Sequence, residues 1–203
     1  MLTKNHETLA IEVARHVEAD AILQGNYWDG SHGCFIGCLA HSDDASKLGE
    51  LYGLPLPLVR ICENIFEALP ADEAKAFFAD LPDAVGRDGK DLTRVYWAFL
   101  ASELRCLPEV DDGTQSVINT VIEGMDLLAS GGEWSRDAVR AAARTTARAA
   151  YAAAYATAAA ATDAAYADAA YAAAYATSDA ARADYDVARM RQRDTILRLI
   201  AEA

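Results

Sequence analysis

Residues 53–70, GLPLPLVRICENIFEALP, decide the fold class. Gly53 and two prolines break the chain, and Pro57 then suits the first turn of a helix, where a missing N–H leaves no hydrogen bond unmade. From there Val59, Ile61, Cys62, Ile65, Phe66 and Leu69 recur at the three-to-four-residue spacing of one helix face, up to the stop at Pro70. A half-buried strand would alternate apolar and polar residues with period two, and no such run of useful length occurs anywhere in the chain.

The same periodicity runs outward from this stretch. Toward the N-terminus it predicts a helix over 3–24, with Leu9, Val13 and Val17 inward and Gly25-Asn26 as the stop. A short helix follows from near Cys34 to His41, and another is capped by Ser42 and Asp43 and runs to about Tyr52. Toward the C-terminus it predicts an amphipathic helix over 71–80, a loop at LPDAVGRDGKD, and an Asp91-capped helix, LTRVYWAFLASELRCL, closed by Pro108. A last one covers 113–129 before SGG. The chain is predicted to be all-α, a multi-helix globular bundle followed by a long alanine-rich helix or helical hairpin.

Two parts differ in composition: an acidic helical domain over 1–132 and an alanine-rich helical tail over 133–203. Of 203 residues, 53% are hydrophobic, enough for a core without staples. The net charge of -13 is concentrated early, since residues 1–135 hold 9 Lys+Arg against 23 Asp+Glu, whereas 136–203 hold 9 Arg against 8. An acidic body repels phosphate backbones, which disfavours nucleic acid as a partner. With no signal peptide or membrane span read, the cytosol is the expected compartment. There Cys34, Cys38, Cys62 and Cys106 stay reduced, and the last two read as core.

From Ala138 to Ala181, 26 of 44 residues are alanine, the strongest helix former. YAAAYAT occurs at 151–157 and 171–177, and a twenty-residue shift turns a helix by about 200°. Tyr151, Tyr155 and Tyr166 then share one face, with Tyr171, Tyr175 and Tyr185 nearly opposite. One long helix contacting both the body and a second copy fits this pattern, as does a hairpin broken near TAAAATDAAY. Homo-oligomerisation through the C-terminal helix and a purely solubilising appendage both remain open. Met190, Ile196, Leu197 and Ile200 are expected to enter a core or a dimer contact.

Chemistry concentrates at 28–41, WDGSHGCFIGCLAH, with two of the four cysteines and two of the four histidines. On a helix Cys34, Cys38 and His41 follow i, i+4, i+7 and share a face. Three readings apply. With His32 or Asp29 they offer four zinc ligands, although the usual Cys-x2-Cys spacing is absent and no metal or cofactor is assigned. Alternatively Cys34 or Cys38 is a nucleophile at a helix start, with His32 or His41 as base and the backbone at Gly30 and Gly33 open to an oxyanion or phosphate. In the third, the cysteines are small core hydrophobes, and Trp28, Asp29, His32 and His41 line a ligand pocket. Arg60 and Glu63, spaced i, i+3, suit a surface ion pair or an Arg60 that reaches an anionic ligand. No P-loop, dinucleotide fingerprint, His-Glu-x-x-His or Gly-x-Ser-x-Gly occurs.

Four blocks, GCFIGCLAH at 33–41, ELYGLPLPLVRICENIFEALP at 50–70, DLTRVYWAFL at 91–100 and the alanine-rich tail closing on MRQRDTILRLI, occur in this order. Together they resemble a family of uncharacterised tailed-phage and prophage accessory proteins, with tyrosine here where relatives often carry tryptophan or serine in the tail. The resemblance implies a phage accessory protein rather than a virion part or a polymerase. Such proteins often counter host defence, so the expected partner is a host protein or a small anionic, nucleotide-like signalling ligand, bound through Trp28, Asp29, His32, His41 and Arg60. The alternative is a cysteine-dependent enzyme acting on a nucleotide or peptide-like substrate through Cys34, Cys38 and His41.

Overall fold

The structure, a computed structural model, describes residues 1–107, 111–135, 137–138, 140 and 169–203, with side chains omitted for 169–184. Among these, the protein is all-α: α1 (His6–Glu18), α2 (Phe35–Ala40), α3 (Lys47–Tyr52), α4 (Leu56–Ala68), α5 (Ala71–Val85), α6 (Val95–Arg105), α7 (Asp112–Ala129) and α8 (Ala169–Glu202). The only strand-like pairings among the described residues are isolated bridges, one of which joins Ile22 to Gly33. None of the described helices is long and apolar enough to cross a membrane. Tyr151, Tyr155, Tyr166 and the proposed tail break lie outside the described residues, while Tyr171, Tyr175 and Tyr185 fall on α8.

The chain divides into two compact units, Met1–Phe99 with Asp186–Ala203, and Leu100–Tyr185. The core of the first is an aromatic cluster in which Phe35 lies 5.9–6.2 Å, ring centre to ring centre, from Phe66, Phe77 and Phe78. All four rings are buried, each worth about 1.5–3 kcal/mol of transfer free energy. Phe35 thereby pins the six-residue α2 against α4 and α5. The end of α8 belongs to this unit. Ile196 and Ile200 are fully buried, and the Lys90 ammonium donates to the carbonyls of Ala84, Ile200 and Ala201, which lack helical partners.

In the second unit, the Asp111 side chain accepts from the Thr114 N–H to cap α7. The Trp134 ring packs directly on Gly124, leaving no room for a Cβ. Arg105 pairs with Asp126.

Besides the later starts of α3, at Lys47 rather than after Ser42 and Asp43, and of α6, at Val95, four details depart from the periodic reading. First, α1 ends at Glu18, because residues 21–23 exchange helical bonding for backbone pairing with Gly33: Gly33 N–H donates to Ala21 and Leu23 N–H to Gly33. The inward stripe of α1 is Leu9, Val13 and His16, while Val17 is 43% exposed. Second, Glu63 and not Ile61 faces inward on α4. Third, α5 continues through Pro82 to Val85, because Leu81, Pro82, Ala84 and Val85 extend its buried face and the proline falls in the last turn. Fourth, Cys106 is exposed, lying just beyond the end of α6, whereas Cys62 is in the core as expected.

Candidate functional site

Two glycines set the position of α2. A Cβ on Gly37 would stand 1.2 Å from the Tyr27 carbonyl oxygen, and one on Gly33 would stand 2.3 Å from it. Only glycine lets the 27–28 backbone lie across the helix at this distance. The paired Gly-Cys spacing of GCFIGC is therefore a packing requirement. Cys38 fills space beneath it, its thiol donating to the Gly33 carbonyl at 3.2 Å, and burial pushes that thiol up to about 11.

At the N-terminal end of α2, Cys34 is buried, and its thiol donates to Glu63 Oε1 at 3.0 Å. The second oxygen of Glu63 accepts the Ile36 N–H at 3.1 Å. Burial, reinforced by the adjacent carboxylate, pushes the Cys34 thiol up to about 12, and burial likewise raises Glu63 above the usual carboxylate range. This pair floors a pocket of about 240 Å3 lined by Gly25, Asn26, Tyr27 and the α4 residues Arg60, Glu63, Asn64 and Glu67. The α4 residues follow i, i+3, i+4, i+7, a single helix face. Glu67 is tied to the loop, one oxygen accepting the Gly25 N–H at 2.8 Å.

At the C-terminal end, His41 adopts the left-handed conformation that ends α2, with φ 48° and ψ 42°. Its ring stacks on Trp28 at 4.7 Å, and the His16 ring lies 5.4 Å from it. Arg15 Nη2 contacts Glu12 Oε2 at 2.6 Å and donates to His41 Nε2 at 2.9 Å. Desolvation moves His41 below the ordinary histidine range; Arg15 and His16 add to this and Glu12 opposes it. His16 is buried, with Nδ1 2.8 Å from the Glu12 carbonyl oxygen.

The residues singled out from sequence are thus distributed over four places. Trp28 and His41 meet in the histidine cluster, Cys34 and Arg60 meet at the pocket, and Cys38 reaches neither. Asp29 and His32 form an exposed turn: Asp29 Oδ1 accepts the His32 and Ser31 N–H groups, which hold its carboxyl at about 2. Cys34, Cys38 and His41 do not converge, because His41 has left the helical path and each thiol has its own partner. No Arg60–Glu63 surface pair forms, since Glu63 turns inward. The reading from sequence missed Glu12, Arg15, His16, Asn64 and Glu67. Their signals were the Glu-x3-His spacing on α1 and the polar i, i+3, i+4, i+7 stripe on α4. Comparison with family models, curated proteins and solved structures gives no match.

Proposed function

We propose that the protein acts by binding rather than by cysteine chemistry. In this reading it is a phage accessory protein that takes a small nucleotide-like signalling ligand of the host in the pocket between residues 25–34 and α4, and so withholds it. The observation that carries the reading is the polar stripe of α4, with Arg60, Asn64 and Glu67 exposed above a floor whose own donors and acceptors are matched.

The pocket is below the roughly 300–1,000 Å3 of sites for drug-sized molecules, which suits a nucleobase-sized group. Glu63 is already matched, so Glu67, with one oxygen not used by Gly25, and Asn64 favour a ligand that presents hydrogen-bond donors over a simple anion. A guanine edge offers two adjacent donors to the outer oxygen of Glu67 and to Asn64, and leaves Arg60 for a phosphate. The resemblance in the four sequence blocks supports the phage setting and the counter-defence role.

Titration with guanosine while following the melting temperature tests this. The expected result is a rise at millimolar nucleoside that disappears in Glu67→Gln and Asn64→Ala; no rise in the wild type overturns the guanine assignment. The enzyme reading is tested by iodoacetamide at pH 7.5, where Cys106 is expected to be the thiol modified in the native protein. Modification of Cys34 faster than a free thiol would return the cysteine-dependent enzyme to first place.

A further inference from the structure

We propose that Glu12, His16 and His41 form a binding site for a divalent transition-metal ion of the zinc type, whose place the Arg15 guanidinium takes in the metal-free protein. This site is independent of the pocket beside Cys34.

The hydrogen-bond partners fix both imidazole tautomers. A backbone carbonyl can only accept, so His16 carries its proton on Nδ1, facing the Glu12 carbonyl, and its Nε2 keeps a lone pair. A guanidinium can only donate, so His41 Nε2 also presents a lone pair. The His16 Nε2 atom is fully buried and has no hydrogen-bond partner among the described residues. A buried ring nitrogen with nothing to accept from is unusual, and a metal ion would satisfy it.

The spacing fits. One ligand atom from each of Glu12, His16 and His41 lies within 4.8 Å of the others; His41 Nε2 is 3.5 Å from Glu12 Oε2, and the His16 ring approaches that oxygen to 4.0 Å through Nδ1, so that reaching Nε2 takes movement of the Glu12 and His41 side chains. Metal–ligand bonds of about 2.0–2.2 Å place tetrahedral neighbours about 3.3–3.5 Å apart. Glu12 and His41 are partly exposed, so their side chains can make the remaining closure toward His16, whose ring is held by packing. Two imidazoles and one carboxylate are a donor set of catalytic zinc sites, which leave a further position open. The contact between His16 Nδ1 and a backbone carbonyl is also the outer-shell bond that orients ligand histidines.

Arg15 supplies the remaining evidence. Its guanidinium sits between the carboxylate and the His41 lone pair, as a cation shared by two of the three ligands. Its side chain is 53% exposed, so it can withdraw into solvent when a metal arrives. Trp28, stacked on His41, places an optical reporter against the site.

The test is calorimetric titration of the full chain with zinc alone at pH 7.5, repeated with cobalt while following tryptophan fluorescence. The expected result is one saturable zinc site in the wild type. Its affinity should fall more than about tenfold in Glu12→Gln and in His41→Gln, because even outer-shell substitutions at metal sites cost 10–100-fold. Both substitutions are at partly exposed positions, and circular dichroism checks that the fold is retained. Arg15→Gln should bind zinc more tightly, and cobalt should quench fluorescence less in Trp28→Phe than in the wild type. Absence of saturable zinc uptake by the wild type, or undiminished affinity in Glu12→Gln and His41→Gln, overturns the site. Unchanged or weaker binding in Arg15→Gln overturns the role given to Arg15.

Discussion

Cys34 and His41, seven residues apart at the two ends of α2, meet opposite hydrogen-bonding conditions. At Cys34 the groups match one to one: the thiol and the Ile36 N–H are two donors, and the two oxygens of Glu63 receive them. At His41 the acceptors are in excess, since the Glu12 carboxylate, His41 Nε2 and His16 Nε2 face a single donor group, Arg15. A matched pair holds a structure in place and has nothing left to offer a ligand, so at that end recognition falls to the outer residues Arg60, Asn64 and Glu67. An unmatched set retains capacity for a cation. The cysteines, the most conspicuous residues of the block, are thus its most satisfied ones, while the unused acceptors lie with histidines contributed partly by another helix.

Substituting Gly37 breaks the comparison by removing the geometry that both ends share. Gly37→Ala drives a Cβ into the Tyr27 carbonyl, and the backbone cannot yield as a flexible side chain could. The expected loss is about 4 kcal/mol or more, read from urea unfolding. A loss below about 1 kcal/mol would show that the 27–28 segment moves aside easily.

A smaller effect, dependent on pH, probes the matched end. Glu63 is raised in the folded state, chiefly by burial, above its usual value of 4.5. Folded protein therefore binds this proton at pH values where the unfolded chain does not, so the contribution of Glu63 to stability grows as pH falls from neutral toward 4.5 and is lost as pH rises through the raised folded value. Glu63→Gln removes the titration. The stability difference between wild type and variant should shift in favour of the wild type between pH 7.5 and pH 5; an identical pH dependence for both would mean that the fold does not raise Glu63.

The smallest effect is expected at the unmatched end. His16→Leu replaces a ring whose Nε2 has no partner, so the change should lie between neutral and a gain of about 1 kcal/mol in metal-free buffer. A loss above about 2 kcal/mol would show that His16 contributes more to the metal-free core than its unmatched nitrogen suggests, and would narrow the contrast with Glu63.

Much of the helical layout could be read from the sequence, because it depends on local periodicity and on chain breakers. The helix after GLPLPL runs Leu56–Ala68, the one before SGG runs Asp112–Ala129, and a short helix follows Cys34. The errors are errors of face. On α1 His16 and Val17 flank the Leu9–Val13 stripe on opposite sides, and hydrophobicity alone chooses the valine; the fold buries the histidine. On α4 the same ambiguity separates Ile61 from Glu63, and the fold buries the glutamate because Cys34 and the Ile36 N–H need an acceptor there.

Local sequence signals carry the class of the protein, all-α with a C-terminal helix, and the bounds of α2, α4 and α7. A 3.6-residue repeat, a proline or a capping aspartate acts within one or two turns of its own position, so these features need no partner to be read. Only the tertiary structure decided which polar groups meet. The approach of the Tyr27 backbone to Gly37, a contact between segments far closer than any side chain would allow, fixes where both ends of α2 point. That contact turns Cys34 toward Glu63 and His41 toward Glu12, and spacing along the chain carries no record of it.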